Sequence, residues 1–239
     1  MKNVSPLNKL LYVTAFCAFL SCNSGNDKNN EKKTDSMAPT AAPATPVVKD
    51  ELFVKHKVAD YDKWKPVYDA DSANRTAAGL HDHIIGRGAE DKNTVLVIMF
   101  MDDQEKAKAL VADPKLKDAM KKGGVTGAPE IEYIHRVWND TAATSQNARM
   151  MVSVKVKDWD AWKKVFDSDK QARVNAGIAD RMIGHVIGDT HEVRLVFVIN
   201  DEAKSKAFMN SKELKEKMKE SGVEGAPKFF AYNVAQKKG

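Results

Sequence analysis

From Leu52 the chain alternates. Leu52, Val54, His56 and Val58 share one face while Phe53, Lys55 and Lys57 share the other, the period of a half-buried β-strand. Past Asp60 the period changes: Tyr61, Trp64, Val67 and Tyr68 recur at spacings of three and four. That pattern predicts an amphipathic helix capped by Asp60 and closed by Gly79 in left-handed geometry. Residues 81–86 predict a second strand. Positions 94–101 are apolar on both faces, as a buried central strand requires. Asp102 and Asp103 open a second helix over 104–112, which Pro114 interrupts before a further turn to Lys122. Gly123-Gly124 and Gly127-Ala128-Pro129 predict a turn, and 130–137 a fourth strand. The order βαββαβ is that of a ferredoxin-like sandwich.

The same unit is written twice. Shifted by 98 residues, positions 54–136 align with 152–234 without a gap, and roughly 30 of about 83 positions are identical. Asp60-Tyr-Asp-Lys-Trp-Lys65 returns as Asp158-Trp-Asp-Ala-Trp-Lys163, and Gly124-Val-Thr-Gly-Ala-Pro129 as Gly222-Val-Glu-Gly-Ala-Pro227. Two copies argue for paired domains over a solenoid. A unit of this order covers one sheet face with helices and leaves the other bare, and an apolar bare face needs a partner. The expectation is an α+β protein: ferredoxin-like repeats over 51–138 and 148–235, joined by a linker at 139–147 and paired within the chain.

Element order and the two repeated stretches resemble the dimeric α/β-barrel superfamily, within it the antibiotic-biosynthesis-monooxygenase-like group. The resemblance covers residues 52–234. It implies a barrel closed by two sheets, here as an intrachain pseudo-dimer, with pockets between helices and sheet in each half. Relatives of this kind include cofactor-independent oxygenases of aromatic polyketides and haem-degrading enzymes. The haem-degrading set of a first-strand Asn, a Trp and a second-helix His is missing, since the first strands carry His56 and Val154. No cofactor and no metal is therefore expected. For an oxygenase, the resemblance points to His56, Trp64 and Tyr68 as catalytic candidates. As a plain reading of the residues, Trp64, Tyr68, Trp162 and Phe166 at helical spacing are core.

The histidines carry more information because they are not duplicated. His56, His83 and His135 stand opposite Val154, Arg181 and Asn233, while His185 and His191 stand opposite Arg87 and Asn93. Strands one and four are neighbours in this topology, which predicts an approach of His56 to His135. Imidazoles that converge act as acid, base or metal ligand near neutral pH. His81-x-His83 is a weak pair on one strand. The ligand-binding candidates are His83, His135, Trp162, Phe166 and Tyr232. Gly86-Arg-Gly88 lacks the third glycine and following helix of a dinucleotide loop, and no hydrolase or zinc-protease motif occurs.

Ahead of the repeats the composition is of another kind. Lys2 and Lys9 precede an apolar run over 10–20 that ends at Ser21-Cys22. The run is too short to span a bilayer and matches a secretory signal; it resembles a bacterial lipobox, which implies a lipoprotein signal peptide over 1–21 and lipidation of Cys22. Residues 22–50, polar and then Ala/Pro/Thr-rich, cannot bury enough apolar surface to fold and predict a disordered tether. The expected location is the bacterial cell envelope, lipid-anchored, in the periplasm or at the outer membrane. Cys17 and Cys22 are the chain's two cysteines, so disulfide frameworks and thiolate metal sites are excluded from the repeats.

The net charge of +5 falls to +3 once Lys2 and Lys9 are removed, and acids interleave the lysines of the second helices. This excludes a dedicated nucleic-acid binder. What remains is a membrane-tethered lipoprotein that binds a small, largely apolar ligand. The alternatives are a cofactor-independent monooxygenase and a structural or interaction module of the envelope.

Overall fold

The computed structural model describes residues 49–238. The expected signal peptide, Cys22 and nearly all of the expected tether lie outside the described residues. Repeat one runs β1 (Asp50–Val58), α1 (Tyr61–Ala70), α2 (Ser72–Ala77), β2 (Leu80–Gly88), β3 (Thr94–Met101), α3 (Gln104–Ala112), α4 (Pro114–Lys122) and β4 (Val125–Asn139). Repeat two follows with β5 (Ala148–Val156), α5 (Trp159–Ser168), α6 (Lys170–Asn175), β6 (Ile178–Val186), β7 (Asp189–Ile199), α7 (Glu202–Asn210), α8 (Lys212–Glu220) and β8 (Val223–Lys237).

Local chemistry sets these boundaries. The Asp60 side chain accepts from the Lys63 N–H at 3.0 Å, and Asp158 does the same for Ala161 at 2.7 Å. Each aspartate satisfies one orphan donor of its helix. Gly79 and Gly177 close the segment at φ of +70° and +71°. The helix predicted from Asp60 to Gly79 is in fact two, broken at Asp71, whose N–H turns back to Tyr68 and Asp69. The predicted turn at Gly127-Ala128-Pro129 is also corrected. These residues lie inside β4, where the register with β1 slips between Lys55 and Lys57, so the fourth strand begins earlier and runs to Asn139.

The extra length of the fourth strands closes the fold. Residues 125–134 of β4 pair with β1 of their own repeat, and residues 134–139 pair with β6 of the other. The end of β8 pairs likewise with β2. The order β1-β3-β2-β8-β5-β7-β6-β4 is a closed antiparallel barrel, so no sheet edge is left free.

Alternation along the strands sorts side chains into three cores. Leu52, Val54 and Val58 join Trp64 and Val97 beneath the helices of repeat one, and Val152, Val154 and Trp162 do the same in repeat two. Phe53, Leu96, Ile98, Ile134, Met151 and Tyr232 fill the barrel interior. Burying each of the larger aliphatic and aromatic side chains contributes roughly 1.5–3 kcal/mol. The bare sheet faces of the two repeats thus cover each other inside the barrel.

Candidate functional site

Between the sheet and helices of repeat one lies a cavity of about 80 Å³, walled by Leu52, Val54, Val97 and Met99 of the strands and by Trp64, Tyr68, Leu116 and Met120 of the helices. His56 projects into it from β1. Its ring lies 5.5 Å from that of Trp64, which stacks in turn on Tyr68 at 4.9 Å. His56 is 6% exposed, and neither ring nitrogen has a hydrogen-bond partner. Burial pushes its pKa down to about 4, so the imidazole is neutral at pH 7, with one donor and one acceptor unspent.

Tyr68 is placed differently. Its ring lines the cavity, but its hydroxyl donates to Asp82 at 2.6 Å. The Arg75 guanidinium also donates to Asp82, through Nε at 3.1 Å and through a second nitrogen at 3.2 Å, and lies 3.6 Å over the Tyr68 ring. Burial drives the phenol pKa upward. Burial alone would raise Asp82 too, but hydrogen bonds from Arg75, Tyr68 and Lys238 outweigh it and hold the carboxyl at about 2. Tyr68 is therefore a wall whose hydroxyl is already committed.

Repeat two carries the matching cavity, of about 100 Å³, lined by Val154, Trp162, Phe166, Leu195 and Phe208. Arg173 pairs with Asp180 at 2.8 Å and lies 3.6 Å over Phe166. The buried Arg–Asp pair is thus common to both repeats, whereas Val154 and Phe166 remove the imidazole and the phenol. Trp162 and Phe166 fall where a pocket in the second half was expected, in an apolar setting without a free hydrogen-bonding group of the kind His56 supplies.

The remaining histidines disperse. His135 does not meet His56: its Nδ1 contacts Asp50 at 2.8 Å, and Asp50 sits six residues before His56 on β1, roughly 20 Å away at strand rise. The His135 ring instead lies 5.2 Å from His185 across the β4–β6 seam, about half exposed and outside both helix–sheet cavities. His81 contacts Asp102 at 2.6 Å. A bulge between Asp82 and Ile84 turns His83 to line the barrel interior, its ring tilted 32° to that of Phe100 with centroids 4.2 Å apart, where burial lowers its pKa to about 4. Tyr232 is wholly buried in the interior, not beside a helix. Among the described residues no group of three or more His, Cys, Asp and Glu is arranged to hold a metal ion.

The charged residues of the interior carried no sequence expectation. Glu51 contacts Arg136 at 3.2 Å inside the barrel. Burial raises Glu51 to about 7, Arg136 opposes that rise, and Asp50 adds to it. The sequence signal was available: Glu51 and Arg149 occupy equivalent strand positions in the two repeats with opposite charge.

Barrel closure by two ferredoxin-like repeats, with a cavity under each helical layer, defines the fold as a dimeric α/β barrel. Solved structures agree. An anthrone oxidase-like protein superposes with a TM-score of 0.54 at 12% identity, over 80% of this chain and 93% of its own. A protein provisionally named a monooxygenase from Fusobacterium nucleatum gives 0.52 at 14% identity, over 80% and 94%. One from Lactobacillus acidophilus, named in the same way, gives 0.50 at 13%, over 78% and 94%. At these identities the likeness is one of fold. No protein-family model matches the chain, and no curated protein matches it.

Proposed function

We propose that the chain is a membrane-tethered binding protein whose repeat-one cavity takes a small, largely apolar molecule bearing one hydrogen-bonding group. The observation that carries this reading is the unpartnered imidazole of His56, buried at the wall of an otherwise apolar cavity. A buried polar group left unsatisfied costs about 1–3 kcal/mol, which a ligand hydroxyl or carbonyl would recover. The cavity is smaller than the ~150 Å³ that holds benzene in an engineered protein core. Its helical wall includes α4, which has no fully buried residue, and an outward shift of that helix would enlarge the cavity. Native mass spectrometry of the full-length chain tests the reading: a co-purifying small molecule lost in His56→Val supports it, and retention of the same molecule in that variant contradicts it.

A second reading is a cofactor-independent oxygenase. The placement of His56 beside Trp64 favours it, since the unprotonated imidazole is the form that accepts a proton from a phenol or anthrone, while its pKa of about 4 makes it a weak base for that step. O₂ would be the oxidant: one ring CH₂ becomes C=O, and the second oxygen atom leaves as water. The small cavity weighs against a tricyclic substrate. Oxygen uptake with an anthrone, abolished in His56→Ala, would favour this reading over simple binding.

Attachment to the envelope through Cys22 belongs to the same proposal and rests on the basic, apolar and Ser21-Cys22 order of the N-terminus. Globomycin or Cys22→Ala is expected to block maturation. Normal processing of the Ala variant would contradict lipidation.

A further inference from the structure

One end of the barrel interior holds a second cavity, of about 270 Å³, separate from the helix–sheet cavities. Its walls combine apolar interior residues, Phe53, Ile98, Met182 and Val196, with the cationic Arg149, Arg181 and Lys237 and one carboxyl, that of Glu51. Two equivalent strand bulges build it. The extra residue of β2 is His83 and that of β6 is Arg181, and both face the cavity beside the regular residues Ile84 and Met182.

The repeats differ here in a way that leaves a charge uncompensated. In repeat one the first-strand Glu51 pairs with Arg136 of the fourth strand. The equivalent positions of repeat two are Arg149 and Val234. Arg149 is 9% exposed and forms no ion pair among the described residues; a terminal guanidinium nitrogen donates to the carbonyls of Gln146 at 2.6 Å and Ala148 at 3.0 Å. Arg181 nearby spends its charge on Asp140 at 3.6 Å. A buried charge without a counter-ion is strongly unfavourable. The opposite end of the interior provides the contrast: there Arg194 is held by Glu132 and Glu192, and Lys55 by Glu130.

We infer that this interior cavity is a binding site for a small organic carboxylate, its anionic group on Arg149 and its apolar part against Phe53, Ile98 and Val196. Carboxylate geometry suits the free edge of a guanidinium, and the apolar walls select an acid with a hydrocarbon body over an inorganic anion. The site is independent of the His56 cavity.

Isothermal titration of the full-length chain with benzoate and hexanoate, alongside benzyl alcohol, hexanol and inorganic phosphate, tests it. The carboxylates are expected to bind with one-to-one stoichiometry and phosphate much more weakly, while binding of the alcohols, which suit the His56 cavity, does not respond to Arg149→Gln. Arg149→Gln should weaken benzoate by about ten-fold or more, the size of a lost charge-assisted hydrogen bond. Val234→Glu supplies an internal counter-ion and should abolish binding while raising the unfolding temperature, which keeps the test open if the Arg149 variant misfolds. His56→Val should leave benzoate affinity unchanged. Absence of carboxylate binding, equal binding of phosphate, an unaltered affinity in Arg149→Gln or Val234→Glu, or a loss in His56→Val would each overturn the assignment.

Discussion

The His56 ring stands 5.5 Å from the indole of Trp64, tilted by 56°, with no hydrogen bond at either nitrogen. In repeat two, Val154 fills the same position above Trp162 without a polar atom. The fold therefore tolerates an apolar residue here, and the imidazole is surplus to packing.

Replacing His56 by Val should accordingly leave the barrel intact and raise its stability at pH 7 by about 1 kcal/mol, because an unsatisfied polar group is removed. The gain should grow in acid. The folded-state pKa of about 4 lies below the ordinary 6.5, so the unfolded chain binds the proton more readily. Wild-type stability is thus lost as pH falls from 6.5 towards 4, at full extent by roughly 3 kcal/mol. Chemical denaturation at pH 7 and pH 5 checks this: His56→Val should lack that part of the acid loss.

Glu51 works in the opposite direction. Its carboxyl is raised from 4.5 to about 7 by burial, so the folded state holds a proton that the unfolded state has released. Its contribution is fully present below pH 4.5 and is lost as pH rises through 7. Glu51→Gln should flatten stability between those limits, and an unchanged slope in denaturation curves over that window would show that Arg136 keeps Glu51 ionised throughout.

Tyr68→Phe copies Phe166 of repeat two and removes one donor to Asp82. It should cost about 1 kcal/mol in urea unfolding and leave ligand affinity and any oxygen uptake unchanged. A large loss of activity with normal stability would restore Tyr68 as a catalytic group.

Arg75 is 4% exposed and holds Asp82 through two donors. Arg75→Met leaves that carboxylate with Tyr68 and Lys238 alone and should destabilise the protein by about 3 kcal/mol, the usual cost of breaking a buried pair. Arg173→Met should do the same through Asp180, and thermal unfolding of both variants compares the two repeats directly.

Much of this architecture was legible along the chain. The strand and helix periods, the 98-residue repeat and the bare sheet faces led to paired ferredoxin-like units, and Trp64, Tyr68 and His56 do share one cavity. Two features were not legible, for physical reasons. The approach of His56 to His135 failed because neighbouring strands say nothing about register: His135 pairs across to His185 near the start of β1, whereas His56 lies towards its end. The interior cavity was hidden because it depends on bulges at His83 and Arg181, which shift side chains between faces without any change in the apolar pattern. Arg149 stands out in the sequence only by its charge, opposite to that of its counterpart Glu51.

His56 is the proposed anchor of the repeat-one cavity. The most direct test is calorimetric titration of p-cresol and toluene into the wild-type chain and His56→Val. If His56 anchors the ligand, p-cresol binds the wild type at least about ten-fold more tightly than the variant, as expected for a recovered buried hydrogen bond, while toluene binds the variant no more weakly than the wild type. Equal affinity of p-cresol for both proteins, or no binding of p-cresol to the wild type, would contradict it.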